Sequence, residues 1–301
     1  MHLTVFGSVG LDDVETPAGR VESAVGGSAV YFSLAASLFT DVRVAANVGH
    51  DFPDAAWDVL RGRGVDLSGL QVFADRPNFR WKGRYRGDMN EAETLDTQLN
   101  VLAEPPRIPE HYLDARFLFL ANSAPETQLM LRERMPDAVC WADTMNLWID
   151  TARPALEALL GRLDGLVLND GEARALSGEH NLVAAGERLR EMGPRVVVVK
   201  KGEHGAFLFA PEGRFSLPAY PTTRVVDPTG AGDSFAGGLL GSLAASGGHQ
   251  DFAALRRAMV DGTVCASLTV EHFSTEGLER ADPAELARRT AELRSFVEWP
   301  A

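Results

Sequence analysis

Short β-branched runs alternate along the chain with stretches of helical periodicity. Strands are predicted at 3–9, 42–49, 117–122, 139–143, 165–169 and 195–200. Several are apolar at every position, the pattern of a parallel strand covered by helices on both faces. Helices are predicted near 28–39, 53–63, 125–135, 153–162, 170–178 and 182–192, and from about residue 231 the chain turns mostly helical. The last helix carries a good start: Asp282 as N-cap, Pro283 at the first position and Glu285 at the third. Strand–helix alternation over most of the chain predicts an α/β fold with a doubly wound, mostly parallel sheet flanked by helices. Ligands of such sheets sit at the C-terminal ends of the strands.

Two segments break the rhythm. Residues 11–25 are polar and extended, and residues 79–101 have the pattern of two strands around a polar turn. In the second, Arg80, Lys82, Arg84 and Arg86 alternate with Phe79, Trp81, Gly83 and Tyr85, so one face is basic and the other mostly aromatic. Neither segment fits a βαβ unit. Together they predict a small β-lid inserted in one domain spanning 1–301, because no repeat or Pro/Gly-rich linker divides the chain. The pattern does not say which face of the lid looks at the site. A simple surface hairpin is the alternative.

Composition narrows the chemistry. The net charge of -13 argues against nucleic acid or an anionic membrane as partner. No run of apolar residues is long enough to span a bilayer, and the N-terminus lacks the charged and apolar regions of a signal peptide, so a cytoplasmic location is expected. Cys140 and Cys265 each sit in an apolar segment, as buried thiols do. The seven histidines form no ligand-spaced pair, which argues against zinc.

The densest chemical signal is DPTGAGDSFAGG, from Asp227 to Gly238. Its glycines leave backbone N–H groups of residues 230–233 unused at a helix start, where oriented donors and the helix dipole attract anions. The stretch is not a Walker A loop, since no Gly-Lys-Ser/Thr follows. It is not a dinucleotide fingerprint either, since Phe235 stands where the third glycine would be. Asp233, an acid amid these donors, has two explanations at this level: a first-turn complement to the dipole, or a group with work to do.

DPTGAGDSFAGG resembles the C-terminal signature of the PfkB family of carbohydrate kinases, of the ribokinase-like superfamily. Other segments are similar to the family in the same order along the chain. GSVGLDD resembles its first strand and substrate-binding acid, here Asp12, with Asp13 the competing neighbour. VGGSAVYFSLAASLF resembles its N-terminal signature, with Gly26 and Gly27 matching and Tyr31 where Asn is frequent. NDGEA fits its N-x-x-E, as Asn169 and Glu172. KKGEHGAFLF is similar to its G-x-x-G segment near the nucleotide, as Gly202 and Gly205, with Lys200 where many members have Thr.

The resemblance implies ATP-dependent phosphorylation of a hydroxyl, that of a hydroxymethyl group, on a small sugar or nucleoside. Asp233 would be the general base, and the N–H groups of Gly230, Ala231, Gly232 and Asp233 the anion hole for the phosphoryl oxygens. Asp12, Gly26, Gly27, Tyr31, Trp81 and Asn122 would face the acceptor, with Asn146 a weaker candidate. Asn169, Lys200 or Lys201, Gly202 and Gly205 would face the nucleotide. Glu172 would act on Mg²⁺ through water, and Asp227 with Thr229 matches positions that line a K⁺ site in some members. Lid sheets of several relatives pair two subunits, which implies a homodimer. A sugar-phosphate kinase and an inactive small-molecule sensor are the competing readings.

Overall fold

The computed structural model describes residues 2–298. Among them, nine strands form a central sheet: β1 (Leu3–Phe6), β4 (Val42–Gly49), β5 (Asp66–Phe73), β8 (Phe117–Leu120), β9 (Val139–Ala142), β10 (Gly165–Asn169), β11 (Val196–Lys200), β12 (Ala206–Ala210) and β13 (Gly213–Leu217). Their order is β13-β12-β11-β10-β9-β8-β1-β4-β5. From β11 to β5 every pairing is parallel, while β12 and β13 join the edge antiparallel.

Successive side chains of a strand point to opposite faces. In β11, Val196 and Val198 enter one apolar cluster, and Val197 and Val199 enter the other. In β8, Phe117 and Phe119 split from Leu118 and Leu120 in the same way. This is why these strands are apolar at every position: helices cover both faces. Each such valine contributes roughly 1.5–3 kcal/mol through burial. Cys140 and Cys265 are buried, unpaired thiols, as expected.

The strands and helices predicted from periodicity are found, mostly with ends moved by a few residues. Asp282 caps the helix Pro283–Val297, accepting from the Glu285 N–H at 2.8 Å. Three strands and the short helix Asn146–Thr151 were not predicted. β5 is an edge strand whose DLSGLQVF lacks both alternation and a continuous apolar run. β12 and β13 form a hairpin behind the G-x-x-G loop, and their strand signal was absorbed into that loop.

The lid segments form a second sheet of four strands: β2 (Gly10–Thr16), β3 (Gly19–Gly26), β6 (Phe79–Tyr85) and β7 (Ala92–Gln98), in the order β3-β2-β6-β7. Polar bonds hold it to the body. The Thr16 hydroxyl donates to the Val226 carbonyl at 2.8 Å, and the Ser274 hydroxyl donates to the Val25 carbonyl at 2.6 Å. The buried Asn78 amide donates to the Val9 carbonyl at 3.1 Å. All seven residues of β7 are exposed. Among the described residues, no helix is long and apolar enough to cross a membrane.

Candidate active site

The helix Ala231–Ala245 opens on Gly230, whose φ of 76° lies in the left-handed region that glycine enters without strain. A Cβ there would also run into the Tyr31 ring, so glycine is required on two counts. The N–H groups of Gly230 and Gly232 have no partner among the described residues. That of Ala231 donates to the Pro228 carbonyl at 3.1 Å, which corrects the expectation that all four amides of the turn are unused. The turn tightens at this point, and closing it takes one donor.

Asp233 lies in the first turn of this helix. Burial pushes its carboxyl up to about 6, while the Lys200 ammonium and its own backbone N–H pull the other way. Lys200 ends β11 and reaches across to the turn: a methyl on Gly232 would stand 2.6 Å from its Nζ. Lys201 turns elsewhere, with its Nζ 3.7 Å from the centre of the Phe207 ring. Of the two lysines, Lys200 is therefore the one at the turn.

Two further acids approach Lys200. Glu172 closes a capping box with Asn169: the Asn169 N–H donates to Glu172 Oε2 and the Glu172 N–H donates to Asn169 Oδ1, both at 2.8 Å. The structure thus gives Glu172 a helix-capping task with one oxygen, and its other oxygen has no protein partner among the described residues. Burial raises its carboxyl, with the Lys200 charge opposing. Asp143, just past β9, was not singled out in the sequence. It is 7% exposed, its Oδ1 is buried without a partner, and burial, then the Asp233 charge, hold its carboxyl well above the usual range. The signal that could have found it is an acid at the C-terminal end of an apolar parallel strand.

On the other side of the turn stands Asp12, buried and pushed up to about 7 by burial and then by the charges of Asp227 and Asp233. A Cβ on Gly26 would strike this carboxylate, and the Gly27 N–H bonds to it. Gly27, at φ 97°, also lies against the Ser8 carbonyl, where a Cβ would come within 2.5 Å. Asp13 faces away and accepts from the Ser23 N–H at 2.8 Å. Asp227 clamps the turn from beneath, its two oxygens accepting from the N–H groups of Thr229 at 2.9 Å and Ser274 at 3.4 Å.

The lid turns its aromatic face inward. β2 and β6 run parallel with Asp12 opposite Trp81, so these two and Tyr85 share a face. Tyr85 is buried against the turn, and the Thr229 hydroxyl donates to its OH at 3.3 Å. Burial pushes the Tyr85 phenol up to about 12, and the charges of Asp227, Asp12 and Asp233 add to that. The Trp81 indole leans over Gly83 and donates to the Thr94 hydroxyl at 3.2 Å. Two arginines of the basic face are engaged elsewhere: Arg80 pairs with Asp51 at 2.8 Å and Arg84 with Glu15 at 3.2 Å.

The remaining candidates lie along the rim. The Asn122 Oδ1 accepts from the Trp148 indole at 2.9 Å, a partner the sequence did not point to. Asn146 is exposed at a helix start. Gly202 and Gly205 take φ of 54° and 80° in a tight loop, where the Lys201 N–H donates to the Gly205 carbonyl at 2.7 Å. The lid hairpin reaches this loop: the Glu203 N–H donates to Asn90 Oδ1 at 3.5 Å.

Residues 6–281 match the family model described as pfkB family carbohydrate kinase. The chain belongs to the PfkB family. Its PfkB relatives include the cytidine kinase of Thermococcus kodakarensis, 29% identical over 247 residues that cover 80% of this chain and 87% of that one. The ATP-dependent ribose-1-phosphate kinase of Halopiger xanaduensis is 27% identical, over 85% and 84% of the two chains. Among solved structures, aminoimidazole riboside kinase from Salmonella enterica superposes with a TM-score of 0.79 at 22% identity, covering 96% of this chain and 100% of that one. Ribokinase from Thermotoga maritima gives 0.76 at 20% identity, with 96% and 99% covered. At that identity the superpositions establish the ribokinase fold, which agrees with the doubly wound sheet read from the sequence.

Proposed function

We propose that this PfkB chain transfers the γ-phosphoryl group of ATP to a hydroxymethyl group of a small, neutral sugar or nucleoside. The observation that carries the reading is the turn itself. A buried carboxyl, Asp233, stands beside the unpartnered N–H groups of Gly230 and Gly232, with Asp12 on one side and Lys200 on the other.

The roles follow from that layout. Asp12 accepts hydrogen bonds from acceptor hydroxyls, and Gly26 and Gly27 let the backbone approach it closely. Tyr31 forms the floor against Gly230, while Tyr85 and Trp81 present the lid's aromatic face, which suits the apolar faces of a sugar or a base. The amides of Gly230 and Gly232 hold the phosphoryl oxygens as charge develops on them. The acceptor oxygen attacks phosphorus, its proton passes to Asp233, and the bond to the β-phosphate oxygen breaks with its electron pair leaving on ADP.

The residues fit Mg²⁺ carried on the nucleotide. Glu172 has an oxygen unused by the capping box, and Asp143 a buried oxygen without a partner. Among the described residues no three acids or histidines form a metal cage, as suits an ion bound by few carboxylates plus substrate phosphates. When bound, Mg²⁺ would draw charge from the phosphate oxygens. Asn169, Gly202 and Gly205 line the nucleotide side. Asp227 and Thr229, which bond each other in the turn, would line a K⁺ site, and the exposed strand β7 offers the edge through which a homodimer would form.

A phosphorylated acceptor is the second reading, and the engagement of Arg80 and Arg84 elsewhere speaks against it. The test is phosphoryl transfer from ATP to a panel of sugars, nucleosides, polyols and sugar phosphates. Turnover of a neutral acceptor is expected, with Asp233→Asn lowering kcat by about 10²–10⁴. Full activity in that variant would sink the mechanism, and turnover of sugar phosphates alone would sink the neutral acceptor.

A further inference from the structure

Among the described residues, Lys200 is placed unlike any other cation. Its Nζ lies beside Gly232, inside the turn proposed to hold the phosphoryl group. Its charge bears on three buried acids from three elements: Asp143 past β9, Glu172 after β10 and Asp233 in the helix Ala231–Ala245. Yet no described residue forms an ion pair with it. An ammonium has three donors and no acceptor. Held among carboxylates but bonded to none, it has all three to offer an incoming anion.

We propose that Lys200 is a catalytic residue that donates to the transferring phosphoryl group. The proposal rests on the kinase reading above and adds a role that the nucleotide-binding assignment does not contain. Its position argues for the group in flight. Its Nζ lies beside Gly232 rather than over the Gly202–Gly205 loop, and its charge bears on both the proposed base and the metal-side acid. There its charge meets the negative charge that builds on the equatorial oxygens as the bond to ADP lengthens. The ammonium stays protonated throughout; the only proton that moves goes from acceptor to Asp233.

The layout also explains how a site with several acids accepts a polyphosphate. Asp143, Glu172 and Asp12 stand near enough to Asp233 for its charge to bear on each, and the charges of Asp12 and Asp233 bear on the phenols of Tyr31 and Tyr85. Burial and mutual repulsion raise these acids, and Lys200 is the counter-charge that opposes this at Asp143, Glu172 and Asp233. A phosphoryl group arriving at Gly232 therefore meets a cation and amide donors before it meets a carboxylate.

The test is Lys200→Met, with Lys200→Arg as the charge-retaining control and circular dichroism to check folding. Loss of one such donor is expected to lower kcat by about 10²–10³, with KM for ATP and acceptor changed less than about threefold. Binding gives a readout independent of turnover. Lys200→Met should weaken the complex with Mg-ADP, aluminium fluoride and acceptor by about tenfold or more while leaving Mg-ADP alone within about threefold. Lys200→Arg should recover part of both. Equal weakening of the two complexes would reduce Lys200 to a nucleotide-binding group and overturn the proposal, as would kcat within about threefold of the parent. Those outcomes leave the kinase reading intact; that reading fails separately, if the unaltered protein turns over no acceptor.

Discussion

The proposed phosphate end and the proposed acceptor end of this site are built from different materials. At the phosphate end the working groups are mainly backbone amides, set by a left-handed glycine and a helix start, with a lysine from a strand end. At the acceptor end they are side chains: Asp12 from the lid's β2, Tyr85 and Trp81 from its β6, and Tyr31 from the helix Ser28–Ala36. Backbone geometry tolerates few substitutions and binds what all these reactions share, a phosphoryl group. Side chains can be exchanged singly, so the identity of the acceptor is written there. The same contrast divides the two sheets. The inner strands of the central sheet are buried on both faces, while the lid sheet carries an outer strand, β7, that is exposed along its whole length.

Three further measurements would break or sharpen this contrast. The largest effect is expected at the phosphate end. Gly230→Ala forces a left-handed alanine against the Tyr31 ring and misaims the amides, so kcat should fall by about 10² or more. A variant with near-parental turnover would show that the turn is not rigid.

A smaller effect is expected from pH at the acceptor end. Burial and the nearby acid charges push the Asp12 carboxyl up to about 7 in the folded chain, against an ordinary 3.8. If its ionised form accepts the acceptor's hydroxyls, KM for the acceptor should rise about tenfold per pH unit below that value. KM for ATP should not follow it. Stability moves the opposite way. A carboxyl raised on folding favours the folded state when protonated, so its contribution is full below about 4 and is lost as pH rises toward 7. Thermal unfolding across that window, compared with Asp12→Asn, checks the sign.

The smallest effect is expected at the lid. Tyr85→Phe removes one hydroxyl bonded to Thr229 and keeps the ring, so acceptor KM should change about two- to fivefold with kcat nearly constant. A large fall in kcat would mean that Tyr85 belongs to the phosphate end after all.

The legibility of the sequence follows the same division. β8, β10 and β11 announced themselves because two-sided burial leaves uninterrupted apolar runs. The Gly230 turn was legible because its constraints are local: glycines at fixed steps before an apolar helix. Asp143 was not, since its significance comes from Asp233, Glu172 and Lys200, which stand far from it in sequence and meet it only in the fold. The choice between Lys200 and Lys201 was hidden for a related reason. Adjacent residues at a strand end point to opposite sides, and only the neighbours decide which side is the site. The lid's alternation was plain, but which face turned inward depended on the parallel pairing of β2 with β6, two strands separated by more than sixty residues.

Gly230 and Tyr31 are, in effect, one heritable character. The ring rests where a side chain on residue 230 would be, and the glycine in turn leaves the ring its seat. A lineage that exchanged Tyr31 for a smaller polar residue would open a void beneath the acceptor without relieving the backbone demand at 230. One that enlarged residue 230 first would lose the turn before any new pocket formed. On the proposed function, changes of acceptor would therefore begin at position 31 or in the lid and reach the turn last.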